Sequence, residues 1–253
     1  MGSTGRRIVV ISPHFDDAPL SLGESMRRGS LAGNKVRVRI AFGRTNWTTW
    51  FHPTLSRARL VSLWRAMEES LASLIFGYRW TAARWDEVVL RSGDLDASKF
   101  VDVDADLSDD PLVSELAIWL RDVCSAPFDT RDHAPAELIL APAGIGGHRD
   151  HMLLAFAAAR IIDDVGTPIG FYEDRPYVAY VSPEGRLRHM ARLDTLLSPT
   201  DVSPPIRRST QWMARMAYPS QMSDYFIEAM EADRDSNDSE SIWFRPGDRP
   251  DWF

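Results

Sequence analysis

Two short apolar runs constrain this chain more than any other feature: residues 8–11, Ile-Val-Val-Ile, and the Leu-Ile-Leu-Ala that follows Glu137 in the strand predicted at residues 137–141. Each is followed by a polar loop and then by a helical pattern. A strand that is apolar at successive positions is buried on both faces, as in a parallel sheet with helices above and below. A further strand is predicted at residues 36–42, where Val36, Val38, Ile40 and Phe42 alternate with Arg37, Arg39 and Ala41, leaving one face partly open to solvent. Residues 168–172 and 177–181 read as two more short strands. Between them the spacing predicts helices over 21–31, 55–76, 111–123 and 149–162. The second is long and amphipathic, with Leu60, Leu63, Trp64, Met67, Leu71, Leu74 and Ile75 at helical intervals; this phase puts Trp64 in the core, and Gly77 supplies the stop. Asp109 or Asp110 caps the third, with Pro111 in its first turn. Strands separated by helices of this length require crossover connections, so the fold class is α/β, doubly wound and Rossmann-like, with a largely parallel sheet flanked by helices.

A single domain over residues 1–253 is the expectation, with a change of character near residue 183. Beyond it lie helical segments at 206–218 and 220–231 and an acidic tail at 233–251. Trp243, Phe244, Trp252 and Phe253 predict that this tail docks on the body.

The chain holds 29 Lys and Arg against 36 Asp and Glu, a net charge of −7, which argues against nucleic acid as the main partner. No stretch approaches the ~20 apolar residues of a membrane span, and the apolar run after Met1 is too short for a signal peptide. Cys124 is the only cysteine, which excludes an internal disulfide and suits a reducing compartment. A cytoplasmic location is therefore expected, with no nucleic-acid or membrane partner. A homo-oligomer is compatible with the composition.

The chemistry concentrates in two loops that an open α/β sheet presents beyond the carboxyl ends of its strands. These are Ser12-Pro13-His14-Phe15-Asp16-Asp17 and Gly146-Gly147-His148-Arg149-Asp150-His151, which hold three of the six histidines, each near a carboxylate. Imidazole nitrogens with a carboxylate oxygen are the donors of a catalytic zinc site that keeps one position open. A spacing of three, as in His14/Asp17 and His148/His151, brings both side chains to one side of a turn. Taken singly, each loop also fits a hydrogen-bonded structural turn.

Together the two loops resemble the PIG-L/LmbE-like family of zinc-dependent N-acetylglucosaminyl deacetylases and related amidases. The family pattern of Pro-His-Pro-Asp-Asp-Glu and His-x-Asp-His appears here as Pro13-His14-Phe15-Asp16-Asp17-Ala18 and His148-Arg149-Asp150-His151. Leu22-Gly23, Arg65 with Glu68, Tyr172-Glu173-Asp174, Pro176-Tyr177 and Ser220-Gln221 extend the likeness. The resemblance implies His14, Asp17 and His151 as ligands of zinc, replaceable by iron or another divalent metal. It implies Asp16 as the general base and His148, held by Asp150, as the group that stabilises the oxyanion. The expected reaction removes an acetyl or other acyl group from an amine of a small, possibly sugar-containing metabolite. Cleavage of a larger acyl or thiol conjugate, or a catalytically silent binding relative, are the alternatives. Ala18 stands where the family has Glu, which leaves the support of the first loop in question.

Several other residues carry two readings. Arg65 either reaches a substrate hydroxyl, as the resemblance suggests, or pairs with Glu68. Trp47, Trp50 and Phe51 either wall a substrate pocket or simply pack. Asp86 and Glu87 read as solvated loop carboxylates, and His52, His133 and His189 as surface residues. Cys124 reads as a packed thiol. Gly144, Gly146 and Gly147 depart from a dinucleotide fingerprint and instead suit close backbone approach at the metal loop.

Overall fold

The computed structural model describes residues 5–50, 54–129, 134–237 and 239–253. Its strands are β1 (Arg7–Ser12), β2 (Lys35–Ile40), β3 (Tyr78–Ala82), β4 (Leu138–Pro142), β5 (Ile169–Tyr172), β6 (Ser198–Asp201) and β7 (Ser241–Phe244). They form one sheet in the order β3-β2-β1-β4-β5-β7-β6. The first five are parallel, and β7 joins β5 and β6 antiparallel.

The helices are α1 (Asp17–Arg28), α2 (Ala58–Phe76), α3 (Val88–Ser92), α4 (Pro111–Ser125), α5 (Arg149–Ile161), α6 (Pro183–Leu193), α7 (Arg208–Ala217) and α8 (Asp224–Ser236). Successive residues of β1 feed two cores. Val9 and Ile11 pack with residues of α4 and α5 on one face, while Ile8 and Val10 pack with residues of α1, α2 and α7 on the other. Because the chain leaves β1 and β4 in opposite directions, their loops part at the carboxyl edge and open a crevice between them.

Most predicted elements are present, with shifted ends. Asp110 caps α4 by accepting from the Leu112 N–H, and Gly77 closes α2 with φ of 78°. Helix α1 begins four residues before the expected start, at Asp17, because Pro19 lies in the first turn, where a missing N–H costs no hydrogen bond. That shift sets Asp17 itself in the first turn. Residues 177–181 are a 3₁₀ turn over Tyr177–Tyr180, not a strand. The acidic tail does dock, and more intimately than expected: Trp243 and Phe244 are buried in β7, inside the sheet. Asp233 is buried against Arg175 at 2.8 Å.

Helix α2 reverses its expected phase. Leu60, Leu63, Trp64, Met67, Leu71 and Leu74 are exposed, Leu74 by 82%, while Arg65, Glu68, Glu69 and Ala72 face the interior. The apolar stripe is present but points outward, so Trp64 is not a core residue. His189 is corrected in the opposite sense: it lies on the buried face of α6, with Nε2 2.8 Å from the Ala143 carbonyl oxygen. Phe51, His52, His133 and the residues before Gly5 lie outside the described residues.

Candidate active site and metal centre

The loop after β1 is folded tightly by its own polar groups. The Ser12 hydroxyl donates to the His14 carbonyl at 2.8 Å and accepts from the Ala18 N–H at 3.2 Å. Asp16 adopts φ of 90°, a left-handed conformation costly for a residue with a Cβ. Three contacts from α2 hold it there. Arg65 pairs with the Asp16 carboxylate at 3.0 Å and donates to the Phe15 carbonyl, and Glu69 accepts from the Asp16 N–H at 3.3 Å. The support that Ala18 left in question thus comes from Ser12, Arg65 and Glu69. Glu69 is itself anchored by the hydroxyls of Tyr78 and Tyr218, at 2.8 and 2.6 Å.

The second loop needs its glycines. A Cβ on Gly146 would lie 2.5 Å from Tyr177, and one on Gly147 2.6 Å from the backbone of Asp102 and Val103. Both have positive φ, so any side chain is excluded by conformation as well as by space. The close approach lets the Asp102 backbone N–H donate to the Gly147 carbonyl at 2.9 Å and sets Val101 beside His148.

These loops bring His14, His148 and His151 together, with a ring nitrogen of each within 4.8 Å of the others. Asp17 Oδ2 lies 3.2 Å from His14 Nδ1 and 3.4 Å from His151 Nε2. A tetrahedral ion with bonds of about 2.0–2.1 Å spaces its donors roughly 3.3–3.4 Å apart; Asp17 stands at that spacing from His14 and from His151, while the three side chains grouped closely enough to share one ion are His14, His148 and His151. The outer ring nitrogens are already committed: His14 Nε2 to Asp150 at 2.9 Å, and His151 Nδ1 to Asp174 at 2.7 Å. Each histidine is thereby oriented by a carboxylate with its inner nitrogen turned to Asp17, the pattern that fixes metal-binding imidazoles.

One expected partnership is replaced by another. Asp150 does not hold His148; it binds His14, the Val88 N–H at 2.9 Å and Arg91 at 2.6 Å. His148 Nδ1 is buried without a hydrogen-bond partner among the described residues. Asp174, which the sequence reading left without a role, turns out to orient His151.

Electrostatics follow from burial and these contacts. Burial disfavours a charged His14, but Asp150 and Asp17 on its two nitrogens outweigh it and lift the imidazole to about 10. Burial raises the Asp17 carboxyl, yet His151 and His14 more than reverse this, to about 2. Burial lifts Asp16 to about 7, with Arg65 pulling down and Asp17 pushing up. Burial and the neighbouring His151 and His14 press His148 to about 3, so it is neutral at pH 7. A divalent cation held beside Asp17 would take over the role of the shared protons and release them on binding.

Above this floor opens a cavity of about 730 Å³. His14, Asp16, Asp17, Arg65, His148 and His151 line its base, and Trp47 stands in its wall. Trp50 is not among the lining residues; it packs edge-on against Trp64 at 5.1 Å. Most of the apolar wall was not anticipated: Val101 and Val103 from one loop, Tyr180 and Val181 from another, and Tyr225 and Phe226 from α8. Tyr180 and Tyr225 stack at 6.2 Å between ring centroids, a pairing across 45 residues that no local pattern signals. Glu87 also lines the cavity and is buried, accepting from the Thr45 hydroxyl and the Asn46 N–H, so it is not a solvated loop carboxylate. Asp86 is partly exposed and pairs with Arg44 at 2.9 Å. Arg65 faces the cavity, but its close partner is Asp16; Glu68 lies 3.9 Å away and instead anchors Ser220. Cys124 is a buried free thiol pushed up to about 11 by burial.

Among the described residues no helix is long and apolar enough to cross a membrane. No family model matches the chain. The 2'-N-acetylparomamine deacetylase of Streptomyces fradiae is 27% identical over 222 residues, which cover 86% of this chain and 74% of that protein. Among solved structures, a deacetylase–teicoplanin complex of the teicoplanin biosynthesis pathway shares the fold with a TM-score of 0.67 at 22% identity, over 94% of this chain and 97% of its own. The zinc-inhibited form of a teicoplanin deacetylase does so with a TM-score of 0.62 at 19% identity, over 94% and 97%. With such a relative, this fold and two His-Asp loops converging at the carboxyl edge of the sheet, the chain is similar over most of its length to deacetylases of N-acetylated molecules.

Proposed function

We propose that this site binds zinc and removes an acetyl or other acyl group from an amine of a small, sugar-containing molecule that also carries an apolar or aromatic part. The observation that supports it most is the convergence of two carboxylate-oriented imidazoles on Asp17, beside Asp16, at the base of a large cavity. Two imidazoles and one carboxylate are characteristic donors for zinc, and iron is the alternative the same donors accept. When bound by His14 Nδ1, Asp17 and His151 Nε2, the cation supplies Lewis acidity toward water and the amide carbonyl.

The protein groups supply the rest. Asp16, poised by burial near neutrality, takes the proton from the attacking water and returns it to the leaving amine. Arg65 holds that carboxylate and the backbone on which it is mounted. His148, neutral and facing the cavity, donates an N–H to the carbonyl oxygen as it gains negative charge. Asp150 and Asp174 orient the two histidine ligands. The relative's name refers to an N-acetylated paromamine, and the polar floor here suits the amide and hydroxyls of such a substrate. The cavity's aromatic and valine wall suits an apolar group beyond them, each Å² of which adds about 25 cal/mol when removed from water. A cytoplasmic enzyme fits the lone, reduced Cys124.

The deciding experiment combines metal analysis of the purified protein with amine release from a panel of N-acyl amines. About one zinc per chain and release of amine are expected. Absence of release from every substrate by metal-loaded protein would remove the reading. Selectivity is tested by kcat/KM for N-acetylglucosamine against an aryl glycoside of it, in wild type and in Trp47→Ala. A preference for the aryl glycoside that shrinks in the variant is expected; equal values in both proteins would take Trp47 out of the substrate site.

A further inference from the structure

The outward face of α2 is the largest feature that the hydrolase reading leaves unused. Leu60, Trp64, Met67, Leu71 and Leu74 recur at intervals of four, three, four and three, the spacing of a seam that packs against another helix. All are exposed, by 58%, 42%, 59%, 46% and 82%, and Leu63 beside them by 62%. With Trp50, which packs on Trp64, these side chains expose roughly 800 Å², well beyond a typical apolar patch and close to what one partner buries in a standard interface.

We propose that α2 is the dimerisation helix, packing antiparallel against α2 of a second copy of this chain about a two-fold axis near Met67. Self-pairing follows from the character of the face. Among the exposed residues of α2 only Arg59 is charged, so an identical face meets it without repulsion or stranded charge. A lipid surface suits it poorly, because a helix lying in a membrane interface exposes a basic face opposite the apolar one, whereas here the opposite face is buried in the protein. The chain is also acidic, at −7, and α2 contains no lysine. Trp50 lies on the segment that carries Trp47, so the second copy braces the strip of chain that forms part of the cavity wall.

The test is sedimentation velocity and light scattering of the full-length protein at about 1 to 100 µM. A dimer of twice 28.6 kDa is expected. Met67→Glu and Leu71→Glu, both on exposed positions, are each expected to weaken the dimer at least about 100-fold, with a circular-dichroism melt that matches wild type when both are measured at monomer concentrations. Met67→Cys is expected to form a disulfide-linked dimer on oxidation. Leu74→Cys alone is not, because antiparallel packing sets its two copies about 20 Å apart. A monomer throughout the range, a dimer untouched by both glutamates, cross-linking through Leu74→Cys but not Met67→Cys, or a monomer that co-sediments with phosphatidylcholine vesicles would each overturn the proposal.

Discussion

Helices α2 and α5 both carry apolar residues at helical spacing, and both flank the site, yet they are built inside-out relative to one another. In α5 every residue except Arg149, Ala159 and Arg160 is buried, and the apolar positions are core. In α2 most of the apolar stripe is surface, and the buried side carries Arg65, Glu68 and Glu69 beside Ala58, Val61, Ala72 and Phe76. The difference lies in what each helix covers. The body of α5 lies on the sheet, and only its first turn, with Asp150 and His151, touches chemistry. Helix α2 lies over the loop that carries Asp16, so its inner face must supply charges and acceptors to hold a strained backbone. A helix that braces a polar site spends its charged residues inward, and its apolar residues must find a partner outside.

The sharpest way to probe that contrast is to disable what α2 is holding. Asp16→Asn keeps the shape of the loop and removes the base, and turnover is expected to fall roughly 10²- to 10⁴-fold with metal still bound; near wild-type rates would show that α2 supports a loop without a catalytic role. The two apolar stripes are compared directly by truncation. Leu154→Ala on α5 is expected to cost about 2–5 kcal/mol in urea unfolding, whereas Leu63→Ala on α2, measured at monomer concentrations, stays within about 0.5 kcal/mol. Equal losses would mean that the outward phase of α2 is wrong.

The inner charges of α2 are expected to matter to kcat more than to KM. Arg65→Gln should lower kcat roughly 10- to 100-fold while metal content holds, with partial recovery in Arg65→Lys, as outer-sphere positioning groups do; loss of substrate binding alone would make Arg65 a substrate contact. The smallest effect concerns α6, which also hides a polar side chain. Burial lowers the His189 pKa, so the folded state keeps the ring neutral where the unfolded chain takes up a proton. Stability is therefore expected to fall slightly as pH drops below about 6.5, and the fall should be weaker in His189→Gln. A melting temperature with the same pH dependence in both proteins would rule this out.

Much of the fold was legible because it rests on local signals. The apolar residues 8–11 and 138–141 are buried on both faces, and that alone implied a parallel sheet with loops meeting at its carboxyl edge. The short strands β6 and β7 were not legible, since each holds only four residues and gains its identity from pairing with the other and, for β7, with β5. The site divides in the same way. Spacing and resemblance single out His14, Asp16, Asp17, His148, Asp150 and His151, because two compact loops carry them, and the fold brings those loops together.

The amino-acid sequence by itself determined which donors exist, in which order, and that two strand ends present them. Only the tertiary structure decided who holds whom. Asp150 reaches across 136 residues to His14 rather than to its neighbour His148, and Asp174 claims His151. Periodicity states that a helix has an apolar side but not whether the protein lies on that side, so the phase of α2 waited on what it packs against. The cavity wall is likewise a product of folding: valines and aromatics from separate segments are each unremarkable along the chain, and they become a surface only where the sheet edge, two loops and α8 converge.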